Sequence, residues 1–328
     1  MPSQSPVPSP QSPVPGPRPL YLVTGGAGFI GSHLVHSLAL KGHPVRVLDN
    51  FLTGKRGNLE AIGGAVEVLP GDITDPDACH HACEGADFVL HHAARVSVAE
   101  SVHNPAPTHD TNATGTLNML IAAKEAGCRR FIYAGSASAY GDTDLLPHRE
   151  EMPPRPLSPY AVAKHVGELY CQVFHRLYGL EIVVLRYFNV FGPRQDPSSP
   201  YSGVIAQFVS HLLRAEPLTI YGDGEQTRDF VPVENVVHAN LLACAAPAAA
   251  GRIINIGCGE RISVNHLARI LLDLSGARSE VAHLPPRPGD IRHSVADITR
   301  ARELLGYQVQ VTPPEGLQRT LDWYRHAA

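Results

Sequence analysis

LYLVTGGAGFIGSHLVHSL, residues 20–38, decides the fold. A short apolar run breaks at Gly25, passes through Gly26, Ala27, Gly28, Phe29, Ile30 and Gly31, and continues as SHLVHSL with helical apolar spacing. Glycines let the backbone turn tightly and come close to a bound group, while the free N–H groups and positive end of the following helix stabilise a pyrophosphate. The spacing is G-x-x-G-x-x-G instead of the usual G-x-G-x-x-G, so context must carry the reading. About 20 residues further on, the run VRVLDN (45–50) ends at Asp49, where a carboxylate can hydrogen-bond a ribose diol and would repel a 2′-phosphate. Strand, turn, helix and acid in series predict a dinucleotide site that prefers NAD to NADP.

Outward from that unit the pattern repeats. AVEVLPGD (65–72), DFVLHHAA (87–94), RFIYAGS (130–136) and IVVLRYFN (182–189) are short apolar runs bounded by Gly, Asp or Asn, and helical spacing fills 31–41, 112–126 and 160–178. Strands alternating with helices predict an α/β fold, a Rossmann-type doubly wound parallel sheet, over residues 20–190. Two more strand ends, Gly71-Asp72-Ile73 and His92-Ala93-Ala94, fall at the carboxyl edge of that sheet, with Asp72 and Ile73 as adenine contacts. From 191 to 328 Gly/Pro-rich loops surround helices and the strands LTIYG and RIINIG, which predicts a smaller C-terminal α/β substrate-binding lobe, with about 228–245 returning to the first domain. Residues 1–19 carry a Pro every two or three positions and read as a disordered tail.

Several function classes are set aside by composition. The chain has 328 residues, is 44% hydrophobic and 18% charged, and carries a formal charge of −4, so it offers no basic field for a nucleic-acid backbone. No apolar run approaches the ~20 residues that span a bilayer, and the N-terminus lacks a signal-peptide pattern, which predicts a cytoplasmic protein with no membrane partner. Six scattered cysteines suit a reducing compartment; Cys79, His80, His81 and Cys83 cluster without a second ligand pair and read as structural, with no metal.

In SPYAVAKHVGELY, Tyr160 and Lys164 stand four apart on one helical face. An ammonium near a phenol favours the phenolate, so the pair is expected to lower the Tyr160 pKa and to act as a general acid and base. Ser136, at the end of RFIYAGS, can hold a substrate hydroxyl for proton transfer at the same sheet edge.

TGGAGFIGSH, the serine-bearing strand end before YG, and YAVAK together resemble the extended short-chain dehydrogenase/reductase family, in its NAD-dependent epimerase/dehydratase group, over residues 20–328. RYFNVFGPRQDP, YGDGEQTRDFVPVENV and RPGDIRHSVAD resemble the family's nucleotide-sugar segments, in order. The resemblance implies NAD contacts at Gly25, Gly28, Phe29, Ile30, Gly31, Asp49, Asn50, Asp72, Ile73, Ala93, Tyr160 and Lys164. It implies substrate contacts at Ser97, Ser136, Asn189, Val204, Arg228, Arg287, Asp290 and Ser294, with the arginine forks suited to a diphosphate. Members that dehydrate or decarboxylate sugars carry acids after the serine, where this chain has Ala137 and Ser138. The implied activity is therefore 4-epimerisation of a UDP-hexose, with the small Ser294 leaving room for an N-acetyl group and a homodimer packed through 112–126 and 160–178. A UDP-glucuronate 4-epimerase, with Arg95 or Arg194 facing the carboxylate, another nucleotide-sugar dehydratase or decarboxylase, and a non-catalytic NAD-binding regulatory scaffold are the competing readings.

Overall fold

A computed structural model describes residues 18–60, 62, 66–196, 203–286 and 291–327. The predicted tail, apart from Arg18 and Pro19, and the predicted contacts Arg287 and Asp290 lie outside the described residues.

β1 (Tyr21–Thr24) passes through the glycine turn into α1 (Phe29–Leu40), β2 (Val45–Asp49), α2 (Gly57–Glu60), β3 (Val66–Pro70), α3 (Pro76–Cys83) and β4 (Phe88–His91). After α4 (Val98–His103), α5 (Pro105–His109) and a π-helical turn at Asp110–Thr114 come α6 (Gly115–Glu125), β5 (Arg130–Ser136), α7 (Pro159–Tyr178) and β6 (Glu181–Tyr187). Local chemistry sets the helix ends. Asp75 caps α3 by accepting from the Asp77 N–H, and Pro76 opens the helix. Ser158 accepts from the Ala161 N–H ahead of Pro159, and Gly179, with φ of 72°, closes α7 in the left-handed conformation.

The chain continues through β7 (Asn189–Phe191), α8 (Val204–Leu213), β8 (Leu218–Tyr221), β9 (Thr227–Arg228), β10 (Phe230–Pro232), α9 (Val233–Ala245) and β11 (Arg252–Ile256). It ends with β12 (Ile262–Ser263), α10 (Val264–Ser275), β13 (Val281–Leu284), α11 (Thr299–Leu305) and α12 (Pro313–Ala327).

The central sheet has seven strands in the order β11-β6-β5-β4-β1-β2-β3, every pair parallel. One expectation is corrected here: RIINI, read as part of the second lobe, pairs with β6 as the seventh strand, Ile253 opposite Val184 and Ile254 opposite Leu185. A buried apolar pentapeptide fits either sheet, and the sequence pattern alone does not select its partner. The α9 residues Val236, Ala239 and Ala243 share a core with Leu34, Val35 and Leu38 of α1 on one face of the sheet. Cys79 and Cys83 of α3, Met119 and Leu120 of α6 and Phe174 of α7 fill the other. A third core joins α8, α10 and α12 around Phe208, Leu267 and Leu321. Strand order reverses between β1 and β4, so the crevice for a ligand opens at their carboxyl ends.

α7 lies unusually close to the sheet at Gly167, where an added Cβ would stand 2.2 Å from the Tyr133 hydroxyl. Alanine for glycine in a helix interior ordinarily stabilises by about 1 kcal/mol. Here the clash reverses the sign: Gly167→Ala should destabilise by about 1–3 kcal/mol, read as a lower midpoint in thermal or urea unfolding.

Candidate active site

The glycine turn is shaped by close approach. Gly25 has φ of +68°, and a Cβ there would stand 2.7 Å from the Ala93 nitrogen. At Gly31 a Cβ would stand 2.1 Å from the Gly25 carbonyl oxygen. Gly28 caps α1 with no side-chain hydrogen bond, which leaves the N–H groups of Phe29, Ile30 and Gly31 for a ligand. The Ala93 and His92 N–H groups are held by the Thr24 hydroxyl, at 3.1 and 3.2 Å, bringing the end of β4 against the turn.

Asp49 is 6% exposed at the end of β2. One carboxylate oxygen accepts from the Ala27 N–H at 2.9 Å and the other from the Phe51 N–H at 2.8 Å. The acid thus braces the glycine turn, and each oxygen keeps a further lone pair for a ribose hydroxyl. Asn50 donates to Asp72 at 2.6 Å, and Asp72 also accepts from the Thr74 N–H and hydroxyl. Partial burial pushes the Asp72 carboxyl up, but the bonds from Thr74 and Asn50 outweigh it and hold it below its ordinary value. Ile73 departs from expectation in one respect: its side chain is core, packed beneath Gly115, so it offers a ligand only its main chain. These features fit a bound dinucleotide: a cradle that a Cβ would fill, bare N–H groups at a helix start, and an acid at the second strand end.

At the other end of the crevice, β5 delivers Ser136, whose Oγ accepts from the Ser138 N–H at 3.2 Å and the Ser138 hydroxyl at 2.8 Å. Tyr160 sits in the first turn of α7, where the Ser101 hydroxyl accepts from its N–H at 3.1 Å. Ser97, by contrast, caps α4 through the Glu100 N–H. Lys164 Nζ donates to the Ala134 carbonyl at 2.8 Å and lies 5.1 Å from the centre of the Tyr133 ring.

The expected lowering of the Tyr160 pKa is not found. Burial raises the phenol above its ordinary value, and a hydrogen bond with Ser136 works against that rise. The Lys164 ammonium is directed at a main-chain carbonyl, and burial lowers it to about 8 while Glu168 opposes the fall. Helical spacing brought the two residues to one face, but burial decides the sign.

Sequence reasoning missed the support behind Lys164. Glu168, one turn further along α7, takes two hydrogen bonds from Arg186 of β6, at 2.9 and 2.7 Å, and a third contact from His165 at 3.1 Å. Both partners of the ion pair are almost wholly buried, and Arg186 lies 4.8 Å from the centre of the Tyr140 ring. Burial pushes the Glu168 carboxyl up, yet His165 and Arg186 together hold it below the ordinary carboxylate range.

Asn189, Val204 and Arg228 converge on a cavity of about 270 Å³ in the second lobe. Tyr221, Gln207 and Gln226 line it as well, polar residues that no local pattern singled out. Ser294 is 8% exposed, and its N–H donates to the Thr227 carbonyl at 3.1 Å, beside Arg228. Of the cysteine-histidine cluster, Cys79 and Cys83 are core thiols, while His80 and His81 face Glu125 and Glu84. Among the described residues, no helix is long and apolar enough to cross a membrane.

The model of the NAD dependent epimerase/dehydratase family matches residues 21–257. The chain belongs to that family. Its fold matches the UDP-glucose 4-epimerase of Thermotoga maritima, solved with UDP-glucose, at a TM-score of 0.90 and 41% identity, over 94% of this chain and 99% of that one. The UDP-N-acetylglucosamine 4-epimerase of Methanobrevibacter ruminantium, in complex with UDP-N-acetylmuramic acid, gives 0.91 and 37%, over 95% and 99%. The UDP-glucuronic acid 4-epimerase of Bacillus cereus, with UDP-glucuronic acid and NAD, gives 0.88 and 33%, over 94% and 100%. Family relatives also include decarboxylases of UDP-uronates. NAD is the family's cofactor, and the crevice described above fits it.

Removing one partner of the buried ion pair leaves an uncompensated charge. Glu168→Gln should cost about 3–5 kcal/mol in denaturant unfolding, and Glu168→Met with Arg186→Met should recover most of that loss.

Proposed function

We propose that the protein interconverts UDP-hexoses at C4, taking UDP-glucose and UDP-galactose and also their N-acetylated counterparts. The observation that carries this reading is the turn after Ser136. Ala137 and Ser138 stand where dehydrating and decarboxylating members carry acids, and the Ser138 hydroxyl is bonded to Ser136 at 2.8 Å. A methyl and a hydroxyl can position an alcohol, but neither supplies the acid and base that an elimination needs.

NAD, when bound, supplies the hydride acceptor that becomes the donor on the return step. The chain's own part is proton handling and positioning. Ser136 holds the C4 oxygen, and Tyr160 takes its proton and later gives one back. Burial makes the phenol a weaker acid, so positive charge nearby is needed to draw the proton off. Lys164, lowered to about 8, stays mostly protonated at neutral pH and provides such a charge. Inversion requires the 4-keto sugar to turn over between the two hydride transfers. Affinity therefore belongs to the nucleotide diphosphate, held by Asn189, Val204 and Arg228 around the cavity, and the hexose pocket stays permissive. The small side chain of Ser294 beside that cavity supports room for an acetamido group.

One observation favours a hexose over a uronate: Arg95 is already paired with Glu100 at 2.8 Å. The complete set of Ser136, Tyr160 and Lys164 speaks against a non-catalytic scaffold.

The test is incubation without added reductant, separately with UDP-glucose, UDP-GlcNAc and UDP-glucuronate, and separation of products by proton NMR. The first two should reach equilibrium with their 4-epimers; conversion of UDP-glucuronate alone would overturn the hexose reading. Tyr160→Phe should retain nucleotide and NAD while losing about 10²–10⁴-fold in turnover.

We also infer a homodimer. Val162, Leu169, Val173 and Leu177 form an apolar stripe along α7, with exposures of 46, 48, 46 and 66%. Residues spaced four and seven apart on one helix face suit packing against the same face of a second copy. Light scattering at micromolar concentration should give twice the chain mass, and a monomer would remove the claim.

A further inference from the structure

Asp229 follows Arg228, a residue lining the nucleotide cavity, yet its own side chain points away from solvent and is 0% exposed. Its carboxylate collects three main-chain donors from two separate segments. One oxygen accepts from the Cys258 N–H at 2.8 Å; the other accepts from Gly259 at 2.9 Å and from Ala296 at 3.1 Å. The fit leaves no slack, since a Cβ on Gly257 would stand 2.6 Å from both the Asp229 carboxylate and the Ala296 Cβ.

The segment caught by the Ala296 bond is the one that carries Ser294. On one side it runs along β9: Thr227 donates to the Arg292 carbonyl at 3.0 Å, and Ser294 donates to that of Thr227 at 3.1 Å. On the other side His148 donates to the Val295 carbonyl at 2.8 Å, and Asp297 donates to the His148 carbonyl at 2.9 Å. The His148 ring stacks on Tyr140, 4.9 Å between centres, at the end of the turn that begins after Ser136. Residues 292–297 therefore lie between the nucleotide cavity and the turn of the proposed catalytic serine; Asn255 donates to the Asp297 carbonyl at 3.4 Å and Arg292 pairs with Asp223, while Asp229 ties the Ala296 N–H to the Cys258–Gly259 turn.

We propose that Asp229 is a positioning residue for substrate size: by clasping the Ser294-bearing segment to the Cys258–Gly259 turn, it fixes how far Ser294 stands from the sugar. The inference rests on the reading of Ser294 as the boundary of the hexose pocket. Burial pushes the Asp229 carboxyl up to about 6 against the pull of its three N–H donors, so at neutral pH it is mostly ionised, the form that accepts all three. An amide in its place presents N–H groups to one set of those donors and breaks the clasp on that side.

The experiment compares wild type, Asp229→Asn and Ser294→Tyr by kcat/KM for UDP-GlcNAc and for UDP-glucose, and by hydrogen exchange of the peptide covering residues 291–298. Ser294→Tyr should lower the UDP-GlcNAc to UDP-glucose ratio about tenfold or more, since in the boundary reading a large ring takes the space an acetamido group needs. Asp229→Asn should speed exchange in that peptide and move the ratio the other way, by a factor of several, mostly through KM. A folded Asp229→Asn protein with wild-type ratio and wild-type exchange overturns the proposal while leaving Ser294 as the boundary. An unchanged ratio in Ser294→Tyr removes the boundary reading, and the positioning role for substrate size falls with it. Should Asp229→Asn fail to fold, Asp229→Glu keeps the charge and shifts it by one methylene, and the same two readouts apply to it with the same outcomes.

Discussion

Glu168 and Arg186 form an ion pair from which water is almost wholly excluded, and the placement of the crevice chemistry depends on it. A buried pair of this kind adds little net stability, because desolvating two charges consumes most of their attraction. What it supplies is registry. If α7 turned or slid along the sheet, it would uncover an unpaired charge in an apolar interior, so the helix has one seat. Tyr160 and Lys164 precede Glu168 on that helix, and Asn189 follows Arg186 at the start of β7. Gly135 leaves space for the carboxylate on β5, where an added Cβ would stand 2.9 Å from it, one residue before Ser136. One interaction thereby relates the proposed acid–base pair, the serine and the cavity around Asn189 to each other.

The parts of this arrangement that were legible in the sequence are those set by local backbone chemistry. Gly25 needs a positive φ and close contact with Ala93, and only glycine meets both demands. Ser158-Pro159 at one end and Gly179 at the other mark α7 to within a residue of its reading as 160–178. Pairings between distant elements left no such mark. RIINI and LTIY are both short buried apolar runs, and their patterns do not tell that one completes the central sheet while the other pairs with β13 outside it. Glu168 and Arg186 lie 18 positions apart on different elements, and either would read alone as a surface charge. Asp229 was hidden beside the more conspicuous Arg228.

Tyr160 shows why proximity along a helix does not fix electrostatics. Four-residue spacing puts a lysine near a tyrosine, and the charge on one should favour ionisation of the other. The folded chain turns the ammonium towards the Ala134 carbonyl and encloses the phenol, so desolvation dominates both groups and moves each towards its neutral form. The tyrosine therefore keeps its proton more firmly than a free phenol, and in the proposed mechanism the Lys164 ammonium is the charge that draws it off.

An epimerase of the kind proposed must grip one half of its substrate and release the other. The fold separates these demands physically. The cavity proposed for the nucleotide is built from β7, β8, β9 and the start of α8, elements tied into the third core by Phe191, Ile205, Phe208 and Phe230. In the proposed reading the sugar side is bounded by the turn after Ser136 and by residues 292–297, a segment with main-chain bonds to β9 and His148 and a carboxylate clasp behind it. Main-chain bonds hold such a segment in position without filling the space in front of it. The side chain presented there is a serine, which is small, so rigidity of the wall and room within it are set by different atoms. In the proposed mechanism a sugar turns over in front of a wall held from behind by those bonds.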